Sequence, residues 1–169
     1  MDPKHILLFR HGIAIERGEP GCPREDAERH LTERGLERTR QAARGLVLAS
    51  GAPGLILSSP YLRARQTADL LREACGEAEV EQLESAHLEP FGSIPQSLTL
   101  IAELECRIIA VVGHAPHLDL LLAGLLGRAD PAWRLKKAGA AQVEWHPGGP
   151  GHLLALHPPR VLRHLAANA

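Results

Sequence analysis

Three short segments carry side chains that could do chemistry together. Arg10, His11 and Gly12 follow the apolar run of residues 5–9 with no spacer. Ser58, Ser59 and Pro60 follow a second apolar run, and Arg63 sits in the next helical turn. Gly113 and His114 follow a third run, residues 108–112. Each run has the length and composition of a buried strand. Parallel strands deliver the residues beyond their carboxyl ends to one crevice. The pattern therefore gathers two histidines and two arginines at one sheet edge. Four cationic or titratable groups placed together repel, and an anion between them would offset that cost. A phosphoryl group fits. Arginine forks pair bidentately with its oxygens. Neutral imidazole is a nucleophile toward phosphorus. The remaining cations neutralise the equatorial oxygens in the transition state.

Taken singly, each segment also has a plain structural reading. A three-residue Arg-His-Gly string occurs incidentally. A histidine after a strand can be a capped or core side chain. Arg63 can be a solvated helix arginine. Joint placement at three strand ends is what favours the chemical reading.

The elements that must position these residues are legible in outline. Residues 5–10, 55–59 and 107–113 read as strands, and 79–83 as a weak one. Residues 16–31 are polar and rich in Gly and Pro, so they read as a loop. Thr32 is a candidate N-cap for a helix to about residue 49, with Leu36, Ala43, Leu46 and Val47 on one face. Pro60 is expected to open a second helix and Gly76 to lie past its end. A loop over 87–93 precedes a helix over 94–104, and Pro116 starts another. Residues 140–146 and 152–157 flank a Pro-Gly-Gly-Pro-Gly turn as a hairpin. A short helix follows Pro159. Strands alternating with helices predict an α/β fold: a three-layer sandwich with a mostly parallel central sheet and helices on both faces. At 169 residues, a single domain over 1–169 is expected.

Composition narrows the partners. Twenty acidic residues balance nineteen basic ones, so there is no overall basic field for nucleic acid. Aromatics make up 3%, which argues against a base-stacking platform. Cys22, Cys75 and Cys106 form no Cys-x-x-Cys pair, which speaks against a disulfide framework or zinc ribbon and for a cytoplasmic location. The N-terminal apolar run is too short for a signal peptide. No run approaches the roughly 18 apolar residues of a membrane span. His114, His117 and Asp119 have partial metal-ligand spacing, but Pro116 interrupts them and no further cluster joins them. No phosphate-binding or dinucleotide glycine loop is present. Neither metal nor cofactor is implied. Lys136 and Lys137 read as a solvated basic pair. The oligomeric state is left open.

The segments "RHG" (10–12), "LTERG" (31–35), "SSPYLRARQTA" (58–68) and "VVGHAP" (111–116) stand in an order and spacing that resemble the histidine phosphatase superfamily, the phosphoglycerate-mutase-like group. The short chain, with no long insertion between the second and third motifs, is similar to the small bacterial SixA-type phosphohistidine phosphatases. The resemblance implies a phosphoglycerate-mutase-like fold and a phosphatase that works through a phosphohistidine on the enzyme. His11 would be phosphorylated, Arg10 and Arg63 would grip the phosphoryl oxygens, and His114 would complete the pocket. Gly12 and Gly113 would let backbone approach the substrate. Gln66 and Thr67 would support Arg63 from the same helix face. Members often carry an acidic residue after the first motif, where this chain has Ile13.

Larger phosphomonoesterases of the superfamily have a glutamate proton donor in the mid-chain loop. Here only Glu89, or His87 beside it, could fill that role. An alkoxide leaving group needs such an acid. Imidazole, with a conjugate-acid pKa of about 6.5, leaves far more easily. A site without a committed acid favours protein phosphohistidine as the substrate. Two alternatives stay open: a phosphomonoesterase on a small phosphorylated molecule using Glu89 or His87, and a non-catalytic phosphate-binding module.

Overall fold

A computed structural model describes residues 2–169. Its centre is one six-stranded sheet: β1 (Lys4–Arg10), β2 (Leu55–Ser58), β3 (Glu81–Glu84), β4 (Ile108–Gly113), β5 (Ala140–Trp145) and β6 (His152–His157), in the order β3-β2-β4-β1-β5-β6. The first four strands run parallel. β5 is antiparallel to β1, and β6 pairs with β5 as the expected hairpin.

Alternation along the strands feeds two cores. Ile6 and Leu8 of β1 pack with Leu118, Leu121 and Leu122 of α4 (His117–Leu125) and with Ile101 of α3 (Ile94–Glu103). Leu7 and Phe9 point the other way. They pack with Ala42 and Leu46 of α1 (Glu33–Ser50), Ala64 and Leu71 of α2 (Leu62–Ala74) and Leu162 of α5 (Pro159–Ala167). Two helices on one face and three on the other make the three-layer α/β sandwich. No helix among the described residues is long and apolar enough to cross a membrane.

Local capping follows the sequence in part. The Thr32 hydroxyl accepts from the Gly35 N–H at 2.9 Å and starts α1. Gly76 lies past α2 with φ +63°. Pro60 does not open α2, however. The chain is still bound to the sheet at Ser59, the last residue of the expected strand, whose N–H donates to the Val112 carbonyl at 3.0 Å. Tyr61 then takes the N-cap position, with its N–H on the Ser59 hydroxyl at 3.3 Å. β3 begins later than its apolar residues suggest, since pairing starts where Glu81 meets Leu55. The two expected loops each hold a short 3-10 turn, Asp26–Glu28 and Ala86–Leu88.

The position of Gly12 has a packing cause. A Cβ there would lie 2.0 Å from the Thr39 hydroxyl oxygen of α1, which is itself fully buried. The glycine admits α1 rather than a substrate, which corrects the expectation from sequence. Gly113 is less constrained, its nearest neighbour being a Leu118 methyl at 3.3 Å. Gly12→Ala should therefore destabilise the fold by about 1–3 kcal/mol, the usual range for overpacking. Urea unfolding checks this, and Gly113→Ala should cost clearly less.

Candidate active site

The site is built on the pairing of β1 with β4. Arg10 stands opposite Gly113, and the His11 N–H donates to the Gly113 carbonyl at 3.0 Å. His11 and His114 thus leave neighbouring strand ends together, with ring centroids 5.0 Å apart. Both are buried, as is Arg63. On the other flank, the Ala138 N–H donates to the carbonyls of Arg10 (3.0 Å) and His11 (3.2 Å). Ala138 holds φ +57°, a left-handed conformation uncommon for a residue with a Cβ. Local strain there braces the backbone that carries the histidine.

A hydrogen bond fixes the tautomer of His11. His11 Nδ1 lies 2.7 Å from the Gly12 carbonyl oxygen. A carbonyl only accepts, so Nδ1 carries the proton and Nε2 keeps its lone pair. His114 Nε2 lies 2.8 Å from the Ser59 hydroxyl. That hydroxyl oxygen also accepts from the Tyr61 N–H, and its proton and second lone pair suit either tautomer of His114. His114 Nδ1 is buried without a protein partner among the described residues.

Each arginine is held by a carboxylate, in different ways. Arg10 Nη1 donates to the Leu135 carbonyl at 2.6 Å, and the Leu135 N–H donates to Asp119 Oδ1 at 2.8 Å. Asp119 is thus tied to Arg10 through one peptide unit. Arg63 meets Asp26 directly: Nη1 on its carbonyl at 2.7 Å, Nη2 on its carboxylate at 3.0 Å. Arg17 and Arg29 share the same carboxylate. The Arg63 guanidinium also lies over the Tyr61 ring, 5.0 Å from its centroid, and that ring meets His114 edge-on. The Nε atoms of both Arg10 and Arg63 are buried and unpartnered among the described residues.

Neither expected support of Arg63 hydrogen-bonds its guanidinium. Gln66 Oε1 accepts from the Leu31 N–H at 2.7 Å, which anchors the end of the 16–31 loop. The Thr67 hydroxyl donates to the Arg63 carbonyl at 2.8 Å and accepts from the Gly12 N–H at 3.1 Å, joining α2 to the end of β1. Their helix face points at backbone, so neither presents itself to a substrate.

Glu89 and His87 lie on the segment around Ala86–Leu88. It passes beside β4, with the Leu88 carbonyl oxygen 3.5 Å from where a Gly113 Cβ would stand. Both residues are half-exposed. Among the described residues, no hydrogen bond or ion pair holds either side chain. Sequence reasoning missed Asp26, Asp119 as a support, and Tyr61. Tyr61 offered a signal, being the one tyrosine and adjacent to a motif. Asp26 offered none, one carboxylate among several in its loop.

Burial and neighbouring cations keep both imidazoles neutral. Burial pushes His11 down to about 3, outweighing the Gly12 hydrogen bond, with Arg63, Arg10 and Lys137 adding to the shift. Burial likewise pushes His114 down to about 2, with His11 and Arg63 next in effect. In the folded chain both rings stay neutral well below the ordinary value of 6.5, while the unfolded chain protonates there. Stability contributed by these rings is full above about pH 6.5 and declines as pH falls toward 3. Nitrogen-15 spectra should show both imidazoles in the neutral pattern at pH 5, with the His11 proton on Nδ1. A midpoint near 6.5 for either ring would contradict the buried, cation-flanked geometry.

Comparison with known proteins gives the family and the fold. Residues 6–87 match the family model of the histidine phosphatase superfamily, branch 1. An uncharacterised protein of Picosynechococcus is 32% identical over 160 residues, spanning 83% of this chain and 89% of its own. The protein histidine phosphatase SixA, solved with tungstate, superposes with a TM-score of 0.81 at 22% identity, covering 94% of this chain and 99% of its own. The Agrobacterium tumefaciens protein described as a phosphohistidine phosphatase, SixA, gives 0.76 at 25% identity, covering 92% and 98%. The first of these structures speaks for the fold alone; the family match supports phosphatase activity. The chain belongs to the histidine phosphatase superfamily.

Proposed function

We propose that this protein is a metal-independent phosphohistidine phosphatase that passes the phosphoryl group through His11. One observation carries the reading. A neutral imidazole with its Nε2 lone pair available stands among buried nitrogens with no partner among the described residues: the N–H donors Arg10 Nε and Arg63 Nε, and His114 Nδ1. Buried polar groups are rarely left so. Donors aimed at developing charge are what a phosphoryl transfer needs.

In the first step His11 Nε2 attacks phosphorus in line. The bond from phosphorus to the leaving nitrogen breaks, and that nitrogen takes a proton from solvent. Arg10, Arg63 and His114 hold the equatorial oxygens while charge spreads over them. The imidazolium that forms on His11 keeps its Nδ1–H on the Gly12 carbonyl, which stabilises the positive ring. Water then attacks phosphorus from the opposite side, and His11 leaves with its lone pair restored. No step requires a metal, because the cations and donors do the neutralising. SixA, which shares the fold, was solved with tungstate, and this supports an oxyanion as the kind of ligand. The unpaired cysteines suit a cytoplasmic setting.

Protein phosphohistidine is favoured because nothing in the protein commits Glu89 or His87 to proton donation. The covalent intermediate should be labile in acid and stable in alkali, as a P–N bond is. His11→Ala should abolish both labelling and turnover, with the melting transition retained. Turnover surviving that change would displace His11 as nucleophile. The leaving group is tested separately. Glu89→Gln and His87→Ala should each leave phosphohistidine hydrolysis within a few-fold of wild type. On an alkyl phosphate, loss of a true general acid costs on the order of 100-fold or more. A loss of that size, with poor phosphohistidine turnover, would transfer the assignment to a small phosphomonoester.

A further inference from the structure

A second cluster of cations lies next to the catalytic pocket, and the chemistry above does not use it. A cleft of about 420 Å³ opens between the end of β1, α1, the turn before β5 and the start of α5. Arg10, Arg38, Lys136, Lys137, Arg160 and Arg163 line it, and no acidic residue does. The whole chain carries a net charge of −1, so overall composition does not explain the concentration. Among the described residues none of the six forms an ion pair. Arg160 occupies the first turn of α5, which has no acidic residue. The helix dipole disfavours a cation there. Arg163 is held below its ordinary value by burial and by repulsion from Arg38, Arg160 and Arg34. These arginines therefore stand within Coulomb reach of one another. Local stability alone would select against every part of this arrangement.

We propose that the cleft is a second anion site, contiguous with the catalytic pocket through Arg10, for a ligand bearing two or more contiguous phosphates. Charge density decides the class. Carboxylates on a protein surface arrive singly, each on its own side chain. A phosphate chain places its charges a few bonds apart, so one compact ligand can meet Arg38, Arg160 and Arg163 together. Their planar forks match phosphate oxygens. The cleft is concave rather than flat, as a small ligand requires. Its floor of Ile13, Thr39 and Ala138 offers no carboxylate to compete. A nucleoside triphosphate and an inorganic polyphosphate share this chemistry.

Calorimetry on the intact protein at fixed ionic strength tests the proposal, using orthophosphate, tripolyphosphate, a nucleoside triphosphate and hexaglutamate. Tripolyphosphate should bind at least about tenfold more tightly than orthophosphate. Arg38→Gln with Arg163→Gln should erase that advantage, whereas Arg65→Gln, outside the cleft, should preserve it. The paired change relieves repulsion, so the melting temperature should not fall, and inhibition by vanadate at the catalytic pocket should stay within about twofold. A nucleoside triphosphate that matches tripolyphosphate means the phosphates alone are read, and one that exceeds it adds a contribution from the base. Equal binding of ortho- and tripolyphosphate, or binding indifferent to the paired change, overturns the site. Hexaglutamate binding as tightly as tripolyphosphate overturns the ligand class in favour of an acidic protein surface. Because the readout is binding, the result stands whether or not the protein hydrolyses phosphohistidine.

Discussion

The hydrogen bond from the His11 N–H to the Gly113 carbonyl, 3.0 Å long, is the contact on which the active site depends. It is the last rung of a parallel ladder that runs from His5 opposite Ile108 to Arg10 opposite Gly113. A slip of one residue would turn Ile6 and Leu8 from one core to the other and reverse every side chain at the strand end. Register is therefore enforced by the two apolar cores rather than by the site. The histidines inherit their separation from packing they take no part in. The arrangement also places the site where backbone is held on both sides, by β4 on one flank and Ala138 on the other.

Electrostatics at such a place run against stability. Two buried arginine Nε atoms and two buried imidazoles share one strand edge. The protein meets this in two ways: it keeps the imidazoles neutral by burial, and it ties each arginine to a carboxylate. Burial pushes the Asp26 carboxyl upward, yet hydrogen bonds from Arg17 and Arg63 and the nearby Arg29 bring it below its ordinary value. Neutral imidazoles suit a nucleophile, since a protonated ring has no lone pair at Nε2. The same desolvation that makes the site costly to fold thus keeps the His11 lone pair free, as the proposed nucleophile requires.

Strand ends were legible in the sequence because apolar runs stop abruptly on charge there, and β1 and β4 stand within a residue of their expected bounds. His11, Arg10, Arg63 and His114 were legible for the same reason. What holds the arginines was not. Asp26 acts on Arg63 across 37 residues and Leu135 on Arg10 across 125. No local pattern encodes contacts of that kind. The start of α2 was misplaced because proline position predicts helix starts only when the preceding residue has left the sheet, and Ser59 had not. Gln66 and Thr67 were placed on the right helix face, but their hydrogen bonds go to backbone that the topology brings close. The cationic cleft was invisible because Arg38, Lys136 and Arg160 meet only when α1, the turn before β5 and α5 assemble.

The two arginines are not equivalent, and the difference follows from how each is held. Asp119 attracts Arg10 across the Leu135 peptide, while the hydrogen bond to the guanidinium is made by a neutral carbonyl. Asp26 touches Arg63 directly and engages both terminal nitrogens. Arg63 therefore presents a weaker field, and Nε is the nitrogen that its partner leaves unpaired. Arg10 also borders the cationic cleft, where no carboxylate dilutes it. Charge at the site is graded: Asp26 of the 16–31 loop pairs directly with Arg63 on the α2 side, and no carboxylate lines the cleft on the side of β5 and α5. An anionic group approaching the pocket feels its steepest attraction from the second side. Such a gradient would steer the phosphoryl donor proposed above toward the pocket.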